Sequence, residues 1–275
     1  MDLFSKEEIQ ALLKEHRVVP SKKFGQNFLI DREFVSKITT AASLRKEDTV
    51  LEIGPGIGNL TQELAKNAKH VFAIEKDQAM ITVLKETTKN YNNITIIHGD
   101  ALEEKIPFAG PYKIIANLPY YITSPLIRKF LETTNQPTGI IVMVQKEVAD
   151  RICAKTPKMN LLAVSVQFYA TVTLEALVPK EVFWPMPSVN SAIIKITPKN
   201  ETLPCEPALF FRIVKAGFSQ PRKQLINNFS AHLQISRDAT TTWLLNNKIA
   251  PEQRAQTLTM DNWISLTQTF GIINK

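Results

Sequence analysis

The sequence has little cysteine and no long apolar run. Its 275 residues include only two cysteines, Cys153 and Cys205, which cannot form a disulfide framework. No apolar run approaches the roughly 18 residues that a membrane-spanning helix requires, and residues 1–16 lack the apolar stretch of a secretory signal. These absences exclude a transmembrane helix and a disulfide-built secreted domain, and they predict a cytoplasmic protein with free thiols.

Metal-binding patterns are also missing. The four histidines are scattered along the chain and show no metal-ligand spacing, so no metal site is expected. The composition, 44% hydrophobic and 21% charged, is that of an ordinary globular protein and argues against extended disorder.

Positive charge is present in excess and is unevenly placed. The chain has 33 basic and 26 acidic residues, giving a net charge of +7. Residues 47–205 are neutral, whereas residues 1–46 carry +3 and residues 206–275 carry +4. Adjacent basic pairs stand in both charged ends, at Lys22 and Lys23 and at Arg222 and Lys223. This segregation favours a polyanionic partner such as nucleic acid, which these four residues would contact.

The middle of the chain alternates β-branched runs with helical stretches, which predicts a doubly wound, mostly parallel α/β sheet. Two later runs, 165–174 and 191–197, could add a pair of strands at one edge. From about residue 203 the pattern becomes helical, so we predict a Rossmann-like domain over 1–203 and a small all-helical domain over 204–275. The predicted strands are 49–53, 70–75, 94–98, 112–116 and 139–144, and the predicted helices are 59–67, 78–89, 124–132, 208–229, 240–246 and 251–270.

A glycine-rich loop follows the first predicted strand, with glycines at 54, 56 and 58. Glycines at this point let the backbone approach a nucleotide-like ligand closely. A dinucleotide fingerprint would require glycine at position 59, which is Asn59. The G-x-G-x-G spacing resembles instead the cofactor loop of class I S-adenosylmethionine (SAM) methyltransferases. Glu75 ends the next strand, 21 residues after Gly54, where a carboxylate can accept hydrogen bonds from ribose hydroxyls. Asp100 ends the third strand and could bind an adenine amino group.

The fourth predicted strand ends in Asn117-Leu118-Pro119-Tyr120, a stiff loop that presents an amide, backbone carbonyls and an aromatic ring. These groups suit a nucleobase with an exocyclic amine. The side-chain oxygen of Asn117 and a loop carbonyl can accept its two N–H bonds, and Tyr120 can stack on its ring.

Five motifs occur in order along the chain: KKFGQNFL (22–29), EIGPGIG (52–58), GDAL (99–102), NLPY (117–120) and FWPMPSVNS (183–191). Together they resemble the KsgA family of small-subunit (16S) ribosomal RNA adenine dimethyltransferases. The similarity runs from about residue 20 to the end and includes FSQPRK (218–223).

This resemblance implies a class I SAM methyltransferase that dimethylates N6 of two adjacent adenosines near the 3′ end of 16S rRNA during small-subunit assembly. It implies that the target base lies between Tyr120 and Phe183, which act with Asn117 as the catalytic residues. The expected partner is the small ribosomal subunit, and we expect the protein to be a monomer. The cofactor contacts implied by the resemblance are Asn27, Leu29, Gly54, Glu75, Asp100 and Asn117.

Three other functions are compatible with parts of the pattern. The antibiotic-resistance dimethylases of large-subunit rRNA share the glycine loop and an Asn-x-Pro-aromatic motif, but Leu118 and the PMPSVNS segment favour the small-subunit type. A non-catalytic RNA-binding or transcription factor on the same fold is disfavoured by Glu75 and the complete NLPY motif. A nicotinamide dehydrogenase is disfavoured by Asn59.

Overall fold

A computed structural model describes residues 1–21, 23–106, 108–119, 122–199 and 202–273. It divides the chain into two compact units. The first consists of Met1–Ala149 and Val172–Pro198, and the second of Asp150–Thr171 and Lys199–Lys275.

The strands in the described ranges are β1 (Phe28–Leu29), β2 (Thr49–Ile53), β3 (His70–Glu75), β4 (Ile94–His98), β5 (Lys113–Asn117), β6 (Gly139–Gln145), β7 (Ala170–Val178), β8 (Phe183–Trp184) and β9 (Ser191–Pro198). The helices are α1 (Lys6–Glu15), α2 (Arg32–Ala41), α3 (Asn59–Asn67), α4 (Gln78–Thr88), α5 (Thr123–Glu132), α6 (Lys146–Ile152), α7 (Leu161–Tyr169), α8 (Pro207–Gly217), α9 (Leu225–His232), α10 (Arg237–Asn246) and α11 (Met260–Ile273).

The seven longer strands form one sheet in the order β4-β3-β2-β5-β6-β9-β7. The pairs from β4 to β6 are parallel, and β9 runs antiparallel to β6. The chain reverses direction across the sheet at β2, because β3 lies on one side of it and β5 on the other. This arrangement confirms the predicted doubly wound, mostly parallel sheet, and such a reversal opens a crevice beyond the carboxyl ends of the strands.

Local sequence fixes where the helices around this sheet begin. Asp31 caps α2 by accepting from two backbone N–H groups, and Asp77 caps α4 in the same way through one. Helix α3 differs, because its N-cap residue is Gly58, which has no side chain to accept from the first turn. Asn59, the first residue of the helix, accepts from the N–H of Leu60 at 2.9 Å instead.

The core of the first unit lies between the sheet and helices α2 and α3. Six of the seven residues of β6 are buried, as expected for a central strand that is covered on both faces. Apolar side chains of the two helices pack on the sheet from one side; they include Phe34, Val35, Ile38, Leu60 and Leu64.

The N-terminal segment packs against the body of this unit through a second apolar cluster. Leu12 and Leu13 of α1 join Phe28, Ile57 of the glycine loop and Met80 of α4 there. β1 pairs with β8 in antiparallel fashion, which aligns Phe28 with Trp184 and Leu29 with Phe183.

Aromatic packing organises the second unit. Phe168 of α7 stacks on Phe210 of α8 with ring centroids 4.0 Å apart, and Trp263 of α11 contacts the rings of Phe218 and Phe229. Helix α7 is therefore part of the core of the helical unit.

Several of the predicted element boundaries are wrong, and the helix expected over 251–270 begins only at Met260, in α11. Residues 165–169 belong to helix α7, so the strand expected over 165–174 is β7 (Ala170–Val178). The helix expected over 208–229 is two helices, α8 and α9, joined by a turn. The single domain boundary at 203/204 misses the segment Asp150–Thr171, which belongs to the helical unit. Helix α7 is capped by Asn160 and is apolar on nearly all sides, so its sequence lacks the periodicity that marks an exposed helix.

Gly58→Ala tests the packing of the glycine loop against α4. Gly58 has φ +88°, and an added Cβ would lie 2.8 Å from Leu84 Cδ1 and 2.9 Å from Thr87 Oγ1. We expect a loss of about 2–4 kcal/mol in the free energy of unfolding, from backbone strain and overpacking together. Gly110→Ala is the matched control, because Gly110 has φ +97° but nothing within 4 Å of an added Cβ. Equal losses in urea unfolding would contradict the packing component.

Candidate active site

A crevice lies beyond the carboxyl ends of β2, β3, β4 and β5, at the point where the sheet order reverses. The structure brings together along it all six residues expected to contact a cofactor: Asn27, Leu29, Gly54, Glu75, Asp100 and Asn117. They come from the N-terminal segment, the glycine loop and three strand ends, which only the folded sheet makes neighbours.

The glycine loop forms the floor of the crevice. Gly54 and Gly56 have φ values of +67° and +57°, a left-handed conformation that side chains with a Cβ rarely adopt. A Cβ at Gly56 would lie 3.2 Å from the ring of Phe28. Close approach of the loop backbone to the N-terminal segment therefore requires glycine here.

The carboxylate of Glu75 is held by the backbone. Its Oε2 accepts from the N–H of Gly56 at 3.2 Å and its Oε1 from the N–H of Asp77 at 2.8 Å. Burial raises the pKa of Glu75, and these two hydrogen bonds oppose the shift. Glu75 thus ties the end of β3 to the glycine loop, and its remaining lone pairs can accept from a ligand.

Asp100 is engaged by an ion pair that the sequence did not suggest. Lys76 Nζ lies 2.5 Å from Asp100 Oδ2, and Oδ1 accepts from the N–H of Leu102 at 2.9 Å. The hydrogen bond from Lys76 is the main reason that the pKa of Asp100 lies below its ordinary value. Lys129 donates to the carbonyl of Ala101 at 2.9 Å and steadies the same turn. Asp100 is therefore ionised and fixed in position.

Two side-chain amides hold the N-terminal segment over the crevice. Asn59 Nδ2 donates to the carbonyl of Leu29, and Gln26 Nε2 donates to Asp77 Oδ2 at 2.8 Å. From the sequence, Asn59 was interpreted only as evidence against a dinucleotide-binding loop. Its role in anchoring the N-terminal segment was therefore not predicted.

Asn117 ends β5 at the opposite wall of the crevice. Its Nδ2 donates to the carbonyl of Asn27 at 3.2 Å, which fixes the orientation of the amide. Within the described ranges no donor binds Asn117 Oδ1, so this oxygen can accept from a ligand. Tyr120, expected to stack on the target base, lies outside the described residues.

Glu52, in β2, is an unanticipated carboxyl group in the lining of the crevice. It is 1% exposed, and its Oε2 has no hydrogen-bond partner in the part of the chain that the structure describes. Burial raises the pKa of Glu52 to about 8. The nearby Thr61 hydroxyl opposes this shift, although its geometry falls short of a hydrogen bond. A buried, unpaired acceptor of this kind suits a ligand that brings a donor or a positive charge.

The structure places Phe183 differently from the expectation. Phe183 is 3% exposed and packs in the core cluster with Leu29, and it is not part of the described crevice lining. Because β8 has only two residues and neighbouring side chains point to opposite faces, Phe183 turns inward while Trp184 turns toward α1. The expectation that its ring forms one wall of the base site therefore stays a prediction, and in this structure the ring packs in the core cluster.

The structure describes three of the four basic residues that were predicted to contact RNA. Lys23 is exposed, with its Nζ 5.7 Å from the ring centroid of Phe24, whereas Lys22 lies outside the described residues. Arg222 and Lys223 are exposed in the turn between α8 and α9, not in a helix as expected. Asn228 holds this turn by donating to the carbonyls of Gly217 and Gln220.

In the five described ranges, no group of three or more His, Cys, Asp or Glu residues is arranged to hold a metal ion. In the same ranges, no helix is both long and apolar enough to cross a membrane.

The sheet order, the crevice and the glycine loop define the fold of a class I SAM methyltransferase. Two solved structures share it. A dimethyladenosine transferase from Plasmodium falciparum has a TM-score of 0.76 and 29% identity, covering 89% of this chain and 97% of that one. The 23S rRNA methyltransferase ErmE has a TM-score of 0.73 and 26% identity, covering 88% and 98%.

The family model of ribosomal RNA adenine dimethylases matches residues 20–271. A relative from Dehalococcoides mccartyi (strain CBDB1), ribosomal RNA small subunit methyltransferase A, is 42% identical over 265 residues, covering 94% of this chain and 91% of its own length. The chain belongs to the ribosomal RNA adenine dimethylase family, which confirms the resemblance predicted from the five motifs.

Glu52→Gln tests whether the buried carboxyl titrates as its surroundings indicate. Between about pH 4.5 and 8 the folded protein retains a proton on Glu52 that the unfolded chain releases, so this group lowers stability as the pH rises. Replacing it by Gln removes the titration. From pH 5 to 8.5, the free energy of unfolding of the variant should rise relative to wild type by roughly 2–5 kcal/mol.

The measurement is urea unfolding of the ligand-free protein across this pH range. Glu103→Gln, which removes an exposed carboxyl group, is the control variant. A difference between Glu52→Gln and wild type that does not change with pH would contradict the raised pKa of Glu52.

Proposed function

We propose that this protein transfers methyl groups from SAM to N6 of two adjacent adenosines near the 3′ end of 16S rRNA. The observation that carries the proposal is the acceptor oxygen of Asn117, which faces no protein donor in the described ranges and stands in the same crevice as the glycine loop. Membership of the ribosomal RNA adenine dimethylase family supports rRNA as the substrate, and the small-subunit name of the Dehalococcoides relative supports the choice of subunit.

The crevice suits SAM by the chemistry of its walls. The left-handed glycines let a ligand approach the loop backbone closely, Glu75 presents a carboxylate at the end of β3, and Asp100 presents another beyond β4. Glu52 adds an unpaired buried acceptor. SAM when bound supplies an electrophilic methyl group on a sulfonium. Asn27, Leu29 and Gly54 would hold it by their backbone groups and close packing.

Asn117 orients the nucleophile. The N6 lone pair of adenine is delocalised into the ring, which makes the amine a poor nucleophile. Acceptance of its two N–H bonds by Asn117 Oδ1 and a loop carbonyl favours a tetrahedral nitrogen with its lone pair directed at the methyl group. Catalysis then comes from proximity and from preorganised acceptors. The hydrogen bond from Asn117 to the Asn27 carbonyl keeps the amide in this orientation.

The base must leave its stack to reach this position, and stacking inside the crevice offsets that cost. We propose Tyr120 for this stacking, since it follows Pro119 in the loop. Phe183 pairs with Leu29 in the β1–β8 ladder and packs in the same core cluster, so it also supports the wall that carries Leu29.

Binding of the ribosomal particle would use phosphate contacts, which give affinity without reading sequence. Lys22 and Lys23 precede the crevice segment, and Arg222 and Lys223 are presented on the α8–α9 turn. The proposed partner is the assembling small subunit, met by a monomeric enzyme in the cytoplasm.

Asn117→Ala should lower kcat about 10²- to 10³-fold at saturating SAM and RNA, because it removes an acceptor used in the transition state. Asn117→Asp separates the two roles of the amide. It keeps the acceptor and loses the donor to the Asn27 carbonyl, so a defect found only in Asn117→Ala reports the acceptor. SAM affinity from calorimetry shows whether the N-terminal segment has loosened. Near-wild-type kcat for Asn117→Ala would refute the mechanism.

The function itself is tested by incubating the protein with SAM and with immature small or large ribosomal subunits, then mapping methylated adenosines. We expect two adjacent dimethyladenosines near the 3′ end of 16S rRNA. Modification of the large subunit alone would identify a resistance-type activity. Absence of any methylated adenosine, together with RNA binding, would identify a non-catalytic factor.

A further inference from the structure

A second groove lies in the first unit, beside the crevice and separate from it. It has a volume of about 350 Å³, at the small end of ligand pockets. Its walls come from α1, from the segment that follows α1 and from β8. The residues that matter for its chemistry are Leu13, Lys14, Arg17, Val18, Pro20 and Trp184.

Two features of this groove point to a nucleotide. Trp184 is half-buried against the N-terminal cluster and leaves part of its ring in the groove, beside apolar Leu13 and Val18. Among the lining residues that the structure describes, the charged ones are Lys14 and Arg17, both exposed, and none is acidic. An aromatic face beside cations binds a nucleobase by stacking and its phosphate by charge, without needing a particular base sequence.

The groove adjoins the crevice through one pair of aromatic rings. Phe28 lines the crevice and pairs with Trp184 in the β1–β8 ladder, and the two ring centroids are 6.3 Å apart. A strand whose target base enters the crevice would therefore pass the groove with a neighbouring nucleotide.

We propose that this groove binds a nucleotide flanking the target adenosine, with its base stacked on Trp184 and its phosphate near Lys14 and Arg17. This inference rests on the proposed function, because it takes single-stranded RNA as the ligand. The groove holds the strand in place while the target base is out of its stack.

Tryptophan fluorescence gives a direct test, because Trp243 and Trp263 are buried in the second unit and Trp184 is the partly exposed one. The probe is a nine-nucleotide single-stranded RNA with two adjacent adenosines at its centre. Titration should quench the wild-type signal. Trp184→Phe should remove the quenching and keep most of the affinity, whereas Trp184→Ala should weaken binding about 5- to 150-fold.

The charged rim is tested separately, so that misfolding of Trp184→Ala cannot decide the question. The double variant Lys14→Gln, Arg17→Gln should bind the RNA more weakly. Its slope of log affinity against log salt concentration should also be shallower, by an amount that corresponds to about 1–2 phosphate contacts. Leu177→Ala removes an exposed apolar side chain elsewhere in the unit and should change nothing. SAM affinity should be equal in all variants.

Methylation of immature small subunits by the same proteins separates this inference from the proposed function. If wild type modifies no adenosine, the proposed function fails. If wild type is active and the Trp184 and Lys14/Arg17 variants match its affinity for RNA and its KM, the groove is not an RNA site. An unquenched wild-type signal at saturating RNA would also overturn the inference.

Discussion

The active site depends on the reversal of strand order at β2. With β3 on one side and β5 on the other, the loops that leave these strands diverge, and the space between them becomes a crevice. The glycine loop, Glu75 and Asn117 face that space because each ends a neighbouring strand. Hydrogen bonds then close it: Asn117 to Asn27, Asn59 to Leu29 and Gln26 to Asp77 bind the N-terminal segment across the opening. The segment is thereby a structural wall of the site.

Three acidic groups line the crevice, and their surroundings favour different protonation states. Lys76 and the N–H of Leu102 keep Asp100 ionised, whereas burial favours the neutral form of Glu52. Glu75 is intermediate, because burial raises its pKa and backbone hydrogen bonds oppose part of that shift. A cationic ligand would favour ionisation of the buried groups as it binds. Binding of such a ligand would then release protons, because burial raises the pKa of both Glu52 and Glu75.

The sequence predicted the sheet and the six crevice residues well, because both follow from rules with long-range consequences. Alternation of strands and helices implies parallel strands, and parallel strands bring their carboxyl ends to one edge. The direction in which a side chain points was harder to predict from the sequence. Phe183 stands in a two-residue strand whose facing is set by its pairing with Leu29, and no periodicity in two residues reveals that. Glu52 lies within a strand that was predicted to be buried, but the sequence does not indicate which residue, if any, would pair with its carboxyl group. Residues 165–169 of helix α7 were taken for part of a strand because Val166, Phe168 and Tyr169 match strand preferences.

The interleaving of the two units has a consequence for synthesis of the chain. Asp150–Thr171 leaves the ribosome before β9, the strand that pairs with β6, and long before α8, against which Phe168 stacks. During translation the apolar surface of α7 stays uncovered until the last quarter of the chain, which contains α8, has been synthesised. A protein truncated after residue 203 would therefore contain α7, between β6 and β7 in the chain, without the later helices that cover it. We expect the exposed helix to promote aggregation, so this truncation would not give an isolated catalytic domain.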